Sequence, residues 1–335
     1  MPAPYPLQLD PILVPKVWGG RRLADFGKTL PVDQTIGESW EIADLPLSVD
    51  GGRNRIANGP CAGSTLRELI TSDPAWLLGS AQPSDDGGFP LLIKFLDATE
   101  NLSIQVHPTA SYVAAHPDAH LKTEAWIVLD AEPGAVLYKG FARDLDPTAF
   151  AEAARSGAIV EAMHAVPAEV GSCHYLESGT CHALGAGILV AEVQTPSDTT
   201  FRIYDWGRTG RSLHLEQAAQ CLDLAAVPSD PGLPPPGDRV GHLTVRRLVD
   251  SDHFLIERLD AEADGTVDLV TNDVPIILMT LHGTATVRAG GEQVVLSRGG
   301  SSILPAAATD GRIDLPAGTS VLRIAPPDPT RGLHA

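Results

Sequence analysis

Two histidines, a glutamate and a glutamine stand where they could hold a metal ion. Gln105 and His107 fall in Ile104-Gln105-Val106-His107-Pro108, His182 ends Ser178-Gly179-Thr180-Cys181-His182, and Glu124 lies between them in Lys122-Thr123-Glu124. Two imidazoles, a carboxylate and an amide oxygen form an N/O donor set suited to Zn²⁺ or another divalent ion. A metal so held would act as a Lewis acid. Side chains alternate along a strand, so Gln105 and His107 would face the same way. Sixteen residues separate His107 from Glu124, room for a helical excursion and a return strand. The competing reading gives each residue a separate packing or surface role. His116, His120, His164, His174, His242, His253, His282 and His334 lack such paired spacing, and His214 is expected to start a helix.

Cations gather in the same region. Lys94 lies one strand before Gln105, Lys122 shares the face of Glu124 if both are on a strand, and Arg202 and Arg208 follow His182. In a chain of net charge −18, four such cations would form a local anion site suited to phosphate. Surface salt bridging is the alternative. The acidic balance argues against nucleic acid or anionic membranes as partners. Four cysteines (Cys61, Cys173, Cys181, Cys221) without a Cys-x-x-Cys pair read as buried thiols of a reducing, cytoplasmic compartment. No signal peptide is visible, and the run Val274–Met279 is too short to span a bilayer.

The elements that must position these residues are mainly strands. Residues 1 to about 60 mix β-like pieces with glycine turns, among them Trp18-Gly19-Gly20 and Gly37-Glu38-Ser39-Trp40-Glu41. Thr65 and Glu68 have capping-box spacing, which predicts a helical insertion within about 61–80. Strands are predicted over 90–95, 102–106 and 125–129, with a brief helix or insertion at 109–120. Asp146 caps a helical stretch that runs to about 165, with Pro147 at its first position and Gly157 dividing it. Strands resume near Glu169, and Leu215–Leu222 is a helix. Residues 228–238 are the linker, rich in Pro, Gly and Asp. Beyond it, 239–335 reads as glycine-punctuated β structure.

A faint repeat relates the two halves. Gly171, five residues, Glu177-Ser178-Gly179, two residues, His182 is matched by Gly299, five residues, Pro305-Ala306-Ala307, two residues, Asp310. The pattern resembles the second motif of cupins, Gly-x5-Pro-x-Gly-x2-His, which implies jelly-roll β-barrels. The expected fold is therefore mainly β, with two cupin-like barrel domains and a few inserted helices. The N-terminal unit (1–227) carries the metal, and the C-terminal unit, with Asp310 in the histidine's place, carries none.

Longer motifs extend the resemblance. Phe89–Phe95, Leu102–Pro108, Lys122–Trp126, Gly179–Gly185 and Glu192–Trp206, with Trp18-Gly19-Gly20 and Gly37–Glu41 upstream, look like type I phosphomannose isomerases, most densely over 16–215. The resemblance implies zinc-dependent interconversion of mannose 6-phosphate and fructose 6-phosphate through a cis-enediol. It places zinc on Gln105, His107, Glu124 and His182 and the active-site arginine on Arg202. Ser103, Lys122 and Arg208 fall at sugar-phosphate positions, and Lys94 and Trp18 join them as expected substrate contacts. Lys122 could orient substrate; Glu192 and Asp198, the carboxylates nearest Arg202, are the first candidates for the proton shuttle. Three departures stand out: Phe201 where many members have Tyr, Ala43-Asp44 where many have Ser-Ala-His, and Arg208 in place of a lysine. The alternatives are a non-catalytic cupin sensor of sugar phosphates and an iron-dependent cupin oxygenase. The expected state is a monomer or small homo-oligomer.

Overall fold

The computed structural model describes residues 1–327; His334 and the end of the expected C-terminal unit lie outside them. The strands form four open antiparallel sheets. The first holds β1 (Ile12–Gly20), β2 (Ile36–Ile42), β3 (Leu92–Ala98), β5 (Glu124–Ala131), β8 (Cys173–Leu176) and β10 (Ile188–Gln194), in the order β1-β2-β3-β10-β5-β8. The second holds β4 (Ile104–Val106), β6 (Val136–Phe141), β7 (Met163–Pro167), β9 (His182–Ala183) and β11 (Phe201–Tyr204), in the order β11-β4-β9-β6-β7.

The C-terminal half repeats this plan. Its larger sheet holds β12 (Asp238–Val240), β13 (Leu243–Asp250), β14 (Leu255–Ala261), β16 (Ile276–His282), β19 (Ser301–Leu304) and β21 (Ser320–Ala325), in the order β12-β13-β14-β21-β16-β19. Its smaller sheet holds β15 (Gly265–Asp268), β17 (Thr284–Ala289), β18 (Glu292–Ser297) and β20 (Arg312–Leu315), in the order β15-β20-β17-β18. Each strand of the second half sits where the strand eleven earlier sits in the first. The sequence repeat falls on this equivalence. Gly171 and Gly299 both have left-handed φ values, 90° and 80°, and lead into β8 and β19. Among the described residues, the closed barrels expected from sequence are not formed. Each half is a pair of facing sheets with free edges, because the sheets are joined by their shared apolar core rather than by strand pairing.

Strand parity explains how the layers stack. In β3, Leu96 and Ala98 face the second sheet, as do Trp126 and Val128 in β5 and Ile188 and Val190 in β10; they meet Leu137 and Val166 from the other side. The opposite parity, including Ile93, Phe95, Ala125, Ile127, Leu189 and Ala191, packs against Ile256, Ile277, Met279, Leu322 and Ile324 of the C-terminal sheet. The two large sheets are thus back to back, which is why β2, β3 and β10 are buried along their whole length. Tethers cross the seam: Leu7 and Ile303 exchange backbone hydrogen bonds at 2.8 and 2.9 Å, and the amides of Ala306 and Ala307 reach the carbonyls of Leu77 and Trp76.

The helices follow the sequence with shifted ends. Thr65 and Glu68 form a reciprocal capping box at α1 (Leu66–Ser72), followed by α2 (Pro74–Leu77). α3 (Ala110–Ala115) occupies the predicted insertion. Asp146 caps α4 (Pro147–Ser156), Gly157 ends it at φ 83°, and α5 (Ile159–Ala162) stops where Met163 turns extended. β7 therefore begins earlier than the Glu169 expected. α6 (Leu215–Cys221) follows His214.

One further expectation is corrected. Trp18-Gly19-Gly20 and Gly37–Glu41 are strand, not turns: a Cβ on Gly19 would overlap the backbone of Gly37, so these glycines let β1 and β2 approach closely. The linker is held down: Gly232 O accepts from the Cys173 amide at 2.7 Å, and Lys139 pairs with Asp230 at 2.7 Å.

Candidate metal and substrate site

His107, Glu124 and His182 converge, with ligand-capable atoms all within 4.8 Å of one another. Glu124 starts β5 on the large sheet, whereas His182 starts β9 on the small one and His107 directly follows β4. The donors thus meet across the gap between facing sheets. Gln105 pairs with His182 in register across β4 and β9, and its side-chain amide lies 3.3 Å from His182 Nε2.

The second contact of each imidazole fixes its tautomer. His107 Nδ1 donates to Thr199 O at 3.1 Å and His182 Nδ1 to Thr180 O at 2.8 Å. That leaves both Nε2 lone pairs directed at Glu124, 3.3 Å from Oε2 and Oε1 respectively. A backbone carbonyl behind each histidine is the usual support of a metal ligand. Among the described residues, His107 Nε2 and Glu124 Oε1 are buried without a hydrogen-bond partner, and Glu124 Oε2 has only the Lys122 ammonium, 2.9 Å away. Buried polar atoms are normally satisfied, so an imidazole nitrogen and a carboxylate oxygen left unpaired beside His182 fit a divalent cation. Gln105 can join by turning its amide over, Oε1 inward and Nε2 towards the Ser103 hydroxyl, which now lies 3.3 Å from Oε1. His174, the nearest competitor by sequence, is buried elsewhere against Ser172 Oγ at 3.0 Å.

Above the donors opens a cleft of about 270 Å³, lined by Lys16, Trp18, Glu38, Trp40, Lys94, Ser103, Gln105, Lys122, Trp126, Glu192, Asp198, Thr200, Arg202 and Arg211, among others. One parity of the large sheet supplies most of its polar wall. The face that is apolar at Leu96, Val128 and Val190 is charged at Lys94, Glu124 and Glu192, so polarity changes along the strands rather than between faces. Ion pairs run across the wall: Lys16–Glu38 at 3.0 Å, Glu38–Lys94 at 3.6 Å, Lys94–Glu192 at 3.1 Å and Lys122–Glu124 at 2.9 Å. Trp126 donates to Glu192 at 3.0 Å and sets its ring edge-on to His182, centroids 5.4 Å apart.

Charge coupling decides the ionisation states. Burial alone would raise the Glu124 carboxyl, but the Lys122 ammonium outweighs it and holds the carboxyl well below its usual range. For Lys94, burial would strip the proton, but Glu192 and Glu38 outweigh it and the ammonium is stabilised. Glu192 is pushed up by burial and by Glu124. Burial opposes ionisation of Glu38, yet Lys94 and Lys16 bring it down from 4.5 to about 2. A depressed carboxyl contributes stability above its unfolded value and loses it as pH falls through the folded value. The Glu38 contribution, about 3 kcal/mol from the size of that shift, should therefore vanish between pH 4.5 and about 2. Urea titrations of wild type and Glu38→Gln test this: their stability difference is expected to shrink across that window, and a flat difference would refute the coupling.

Of the residues expected from sequence, Trp18, Lys94, Ser103, Lys122, Glu192, Asp198 and Arg202 reach the cleft. Glu192 and Asp198 do so from β10 and from the loop before β11, not from one continuous strand. Arg208 does not line the cleft; it binds Asp205, Glu100 and the carbonyl of Asn101 beside a separate hollow. Arg211, passed over in the sequence, does line it. Its three-residue distance from Arg208 was the available signal, but direction in a loop cannot be read from spacing. The departures at Phe201 and Ala43-Asp44 lie off the cleft. Phe201 is buried in the apolar cluster beneath the helices, against Tyr112, with ring centroids 5.1 Å apart. Asp44 is buried between Arg53 and Arg67 and accepts the Phe89 amide.

Comparison with known proteins agrees with this geometry. The family model "Phosphomannose isomerase type I, catalytic domain" matches residues 7–130, which include Gln105, His107 and Glu124 but not His182. A probable mannose-6-phosphate isomerase of Bacillus subtilis is 32% identical over 309 residues, covering 90% of this chain and 94% of the relative. A mannose 6-phosphate isomerase crystal structure from Bacillus subtilis superposes with a TM-score of 0.82 at 30% identity, over 96% of this chain and 99% of that one. A zinc-bound mannose 6-phosphate isomerase structure shares the fold at 18% identity, with a TM-score of 0.74 over 97% of this chain and 100% of that one. Near-complete coverage at this identity, on a chain whose buried donors converge beneath a cationic cleft, makes it a member of the type I phosphomannose isomerase family.

Proposed function

We propose that this chain is a metal-dependent aldose–ketose isomerase that interconverts mannose 6-phosphate and fructose 6-phosphate through a cis-enediol. The observation that carries the reading is the buried convergence of His107, Glu124 and His182, with His107 Nε2 and Glu124 Oε1 left without hydrogen bonds among the described residues, beneath a cleft rich in lysine and arginine. Zinc suits the two imidazoles, the carboxylate and the Gln105 amide oxygen. Bound there, it would supply Lewis-acid stabilisation of charge on the sugar's C1 and C2 oxygens.

The chain's own residues do the rest. Arg202 adds positive charge beside the developing enediolate, where a preorganised donor is worth most. Lys122, fixed against Glu124, orients a sugar hydroxyl. Ser103, Lys94, Trp18 and Trp40 shape the walls around the substrate. The proton moves between C1 and C2 on a cleft carboxylate, Glu192 or Asp198. They differ in readiness. Protonating Glu192 dissolves its pair with Lys94, whereas Asp198 is exposed at the rim and has no hydrogen bond or ion pair among the described residues.

We also infer that the two sandwiches are cupin-like jelly-roll units, 1–227 and 239–335, joined by 228–238. The matching strand orders support this reading. In the second unit Asp310 is exposed and accepts the Gly290 amide instead of facing a donor set. Among the described residues no helix is long and apolar enough to cross a membrane. A coupled assay on purified, zinc-loaded protein tests the function: both sugar phosphates should be turned over. Oxygen uptake without isomerisation would indicate an oxygenase, and binding without turnover a sensor; either result removes the isomerase reading.

A further inference from the structure

Arg211 stands in the cleft with a support that nothing in its local sequence announces. Its guanidinium is held by Asp205: Nε donates to Oδ2 at 2.9 Å and Nη2 donates to Oδ1. Asp205 is only 3% exposed and also takes Nε and Nη2 of Arg208. One buried carboxylate thus grips two arginines, turning Arg208 away towards Glu100 and Asn101 and Arg211 into the cleft. Arg211 Nη1 has no partner among the described residues.

Arg202 reaches the same cleft from β11. Its Nη1 donates to Ser212 O at 2.8 Å, its backbone amide donates to His214 Nδ1 at 3.1 Å, and its Nε is buried with no partner among the described residues. The residue that holds Arg202 in place therefore directly follows Arg211. Burial and then the charge of Arg211 bear against the Arg202 cation. Arg202 has no salt bridge among the described residues and Arg211 keeps Nη1 unused beside Asp205, and a doubly charged phosphoryl group matches the fork geometry of such donors.

We propose that Arg211, oriented by Asp205, is a substrate-binding residue that grips the phosphoryl group together with Arg202, the task the sequence pattern gave to Arg208. This rests on the sugar-phosphate reading above. A hydrogen bond between charged groups is worth about 1.5–3 kcal/mol, so Arg211→Gln should raise KM for mannose 6-phosphate about 10- to 100-fold. The kcat should change by less than about threefold, since uniform binding is what is lost. Inorganic phosphate, titrated calorimetrically against the zinc-loaded protein, should bind the variant more weakly by a similar factor. Asp205→Asn should move KM the same way while leaving zinc content intact.

A wild type that turns over neither sugar phosphate would defeat the isomerase reading itself. With an active wild type, unchanged KM and phosphate affinity in Arg211→Gln would overturn the inference alone. So would a loss confined to kcat, which would mark a structural role. Arg208→Gln matching the full effect of Arg211→Gln would return the phosphoryl group to Arg208 and overturn it too.

Discussion

His182→Ala is expected to lose its metal and at least about 10³-fold in kcat/KM for mannose 6-phosphate. His182 supplies one of only two imidazole nitrogens in the donor cluster. Without it, Glu124 Oε1 keeps no neighbour on that side, and Gln105 loses the ring against which its amide is set. The metal's stabilisation of developing charge is worth several kcal/mol, and each 1.36 kcal/mol is about tenfold in rate, which sets the size of the loss. His174→Ala is the control. That imidazole is equally buried, but it faces Ser172 and the linker, not the cluster. It should cost stability and leave zinc stoichiometry near one per chain. Metal analysis and the coupled assay on both variants decide the matter. A His182→Ala protein that is folded and retains zinc and activity would refute the site.

Lys94→Met is expected to destabilise the fold by about 3–5 kcal/mol, the usual cost of removing one partner from a buried ion pair. Lys94 is 7% exposed and lies between Glu38 and Glu192. Methionine fills much of the same space but leaves two carboxylates facing each other across β2, β3 and β10. The sign of the pH dependence follows. The Lys94 ammonium is favoured in the fold, so its contribution is complete below the ordinary lysine value of 10.5 and is lost only as pH rises through the still higher folded one. In the variant, the stranded carboxylates can take up protons, so the penalty should be smaller in mild acid than above neutrality. Adding Glu192→Gln should recover part of the loss, and the non-additivity measures the coupling. Urea unfolding of the single and double variants provides the check; a Lys94→Met protein within about 1 kcal/mol of wild type would contradict a buried triad of this kind.

Much of this site is legible in the chain. The donor types and the parity of Gln105 and His107 survive folding. So do the Thr65–Glu68 capping box, the Asp146-Pro147 start and the Gly157 stop, because each rests on a contact within three residues or on one residue's own backbone preference. The repeat of Gly171 and Gly299 also carried real information, since both glycines take a left-handed turn into equivalent strands. Less of the wall was visible. Glu38 and Trp40 have no site role in the sequence reading, where they belong to a glycine turn and a family motif, yet the large sheet aligns them with Lys94 and Glu192 through registers that link residues far apart.

Sequence by itself determined which groups were available: a nitrogen–oxygen donor set, cations in an acidic chain, and glycines where strands must crowd. These follow from side-chain chemistry and local backbone preference. Tertiary structure decided which groups meet. It set His182 opposite Glu124 across two sheets, left the sheets open because a packed core and not a strand pair joins them, and covered the outer face of the first sandwich with the second. It also sent Arg208 outward and Arg211 inward around Asp205. That last choice depends on one buried carboxylate with two competing partners, and such a competition is settled by packing over the whole domain, beyond the reach of any local pattern.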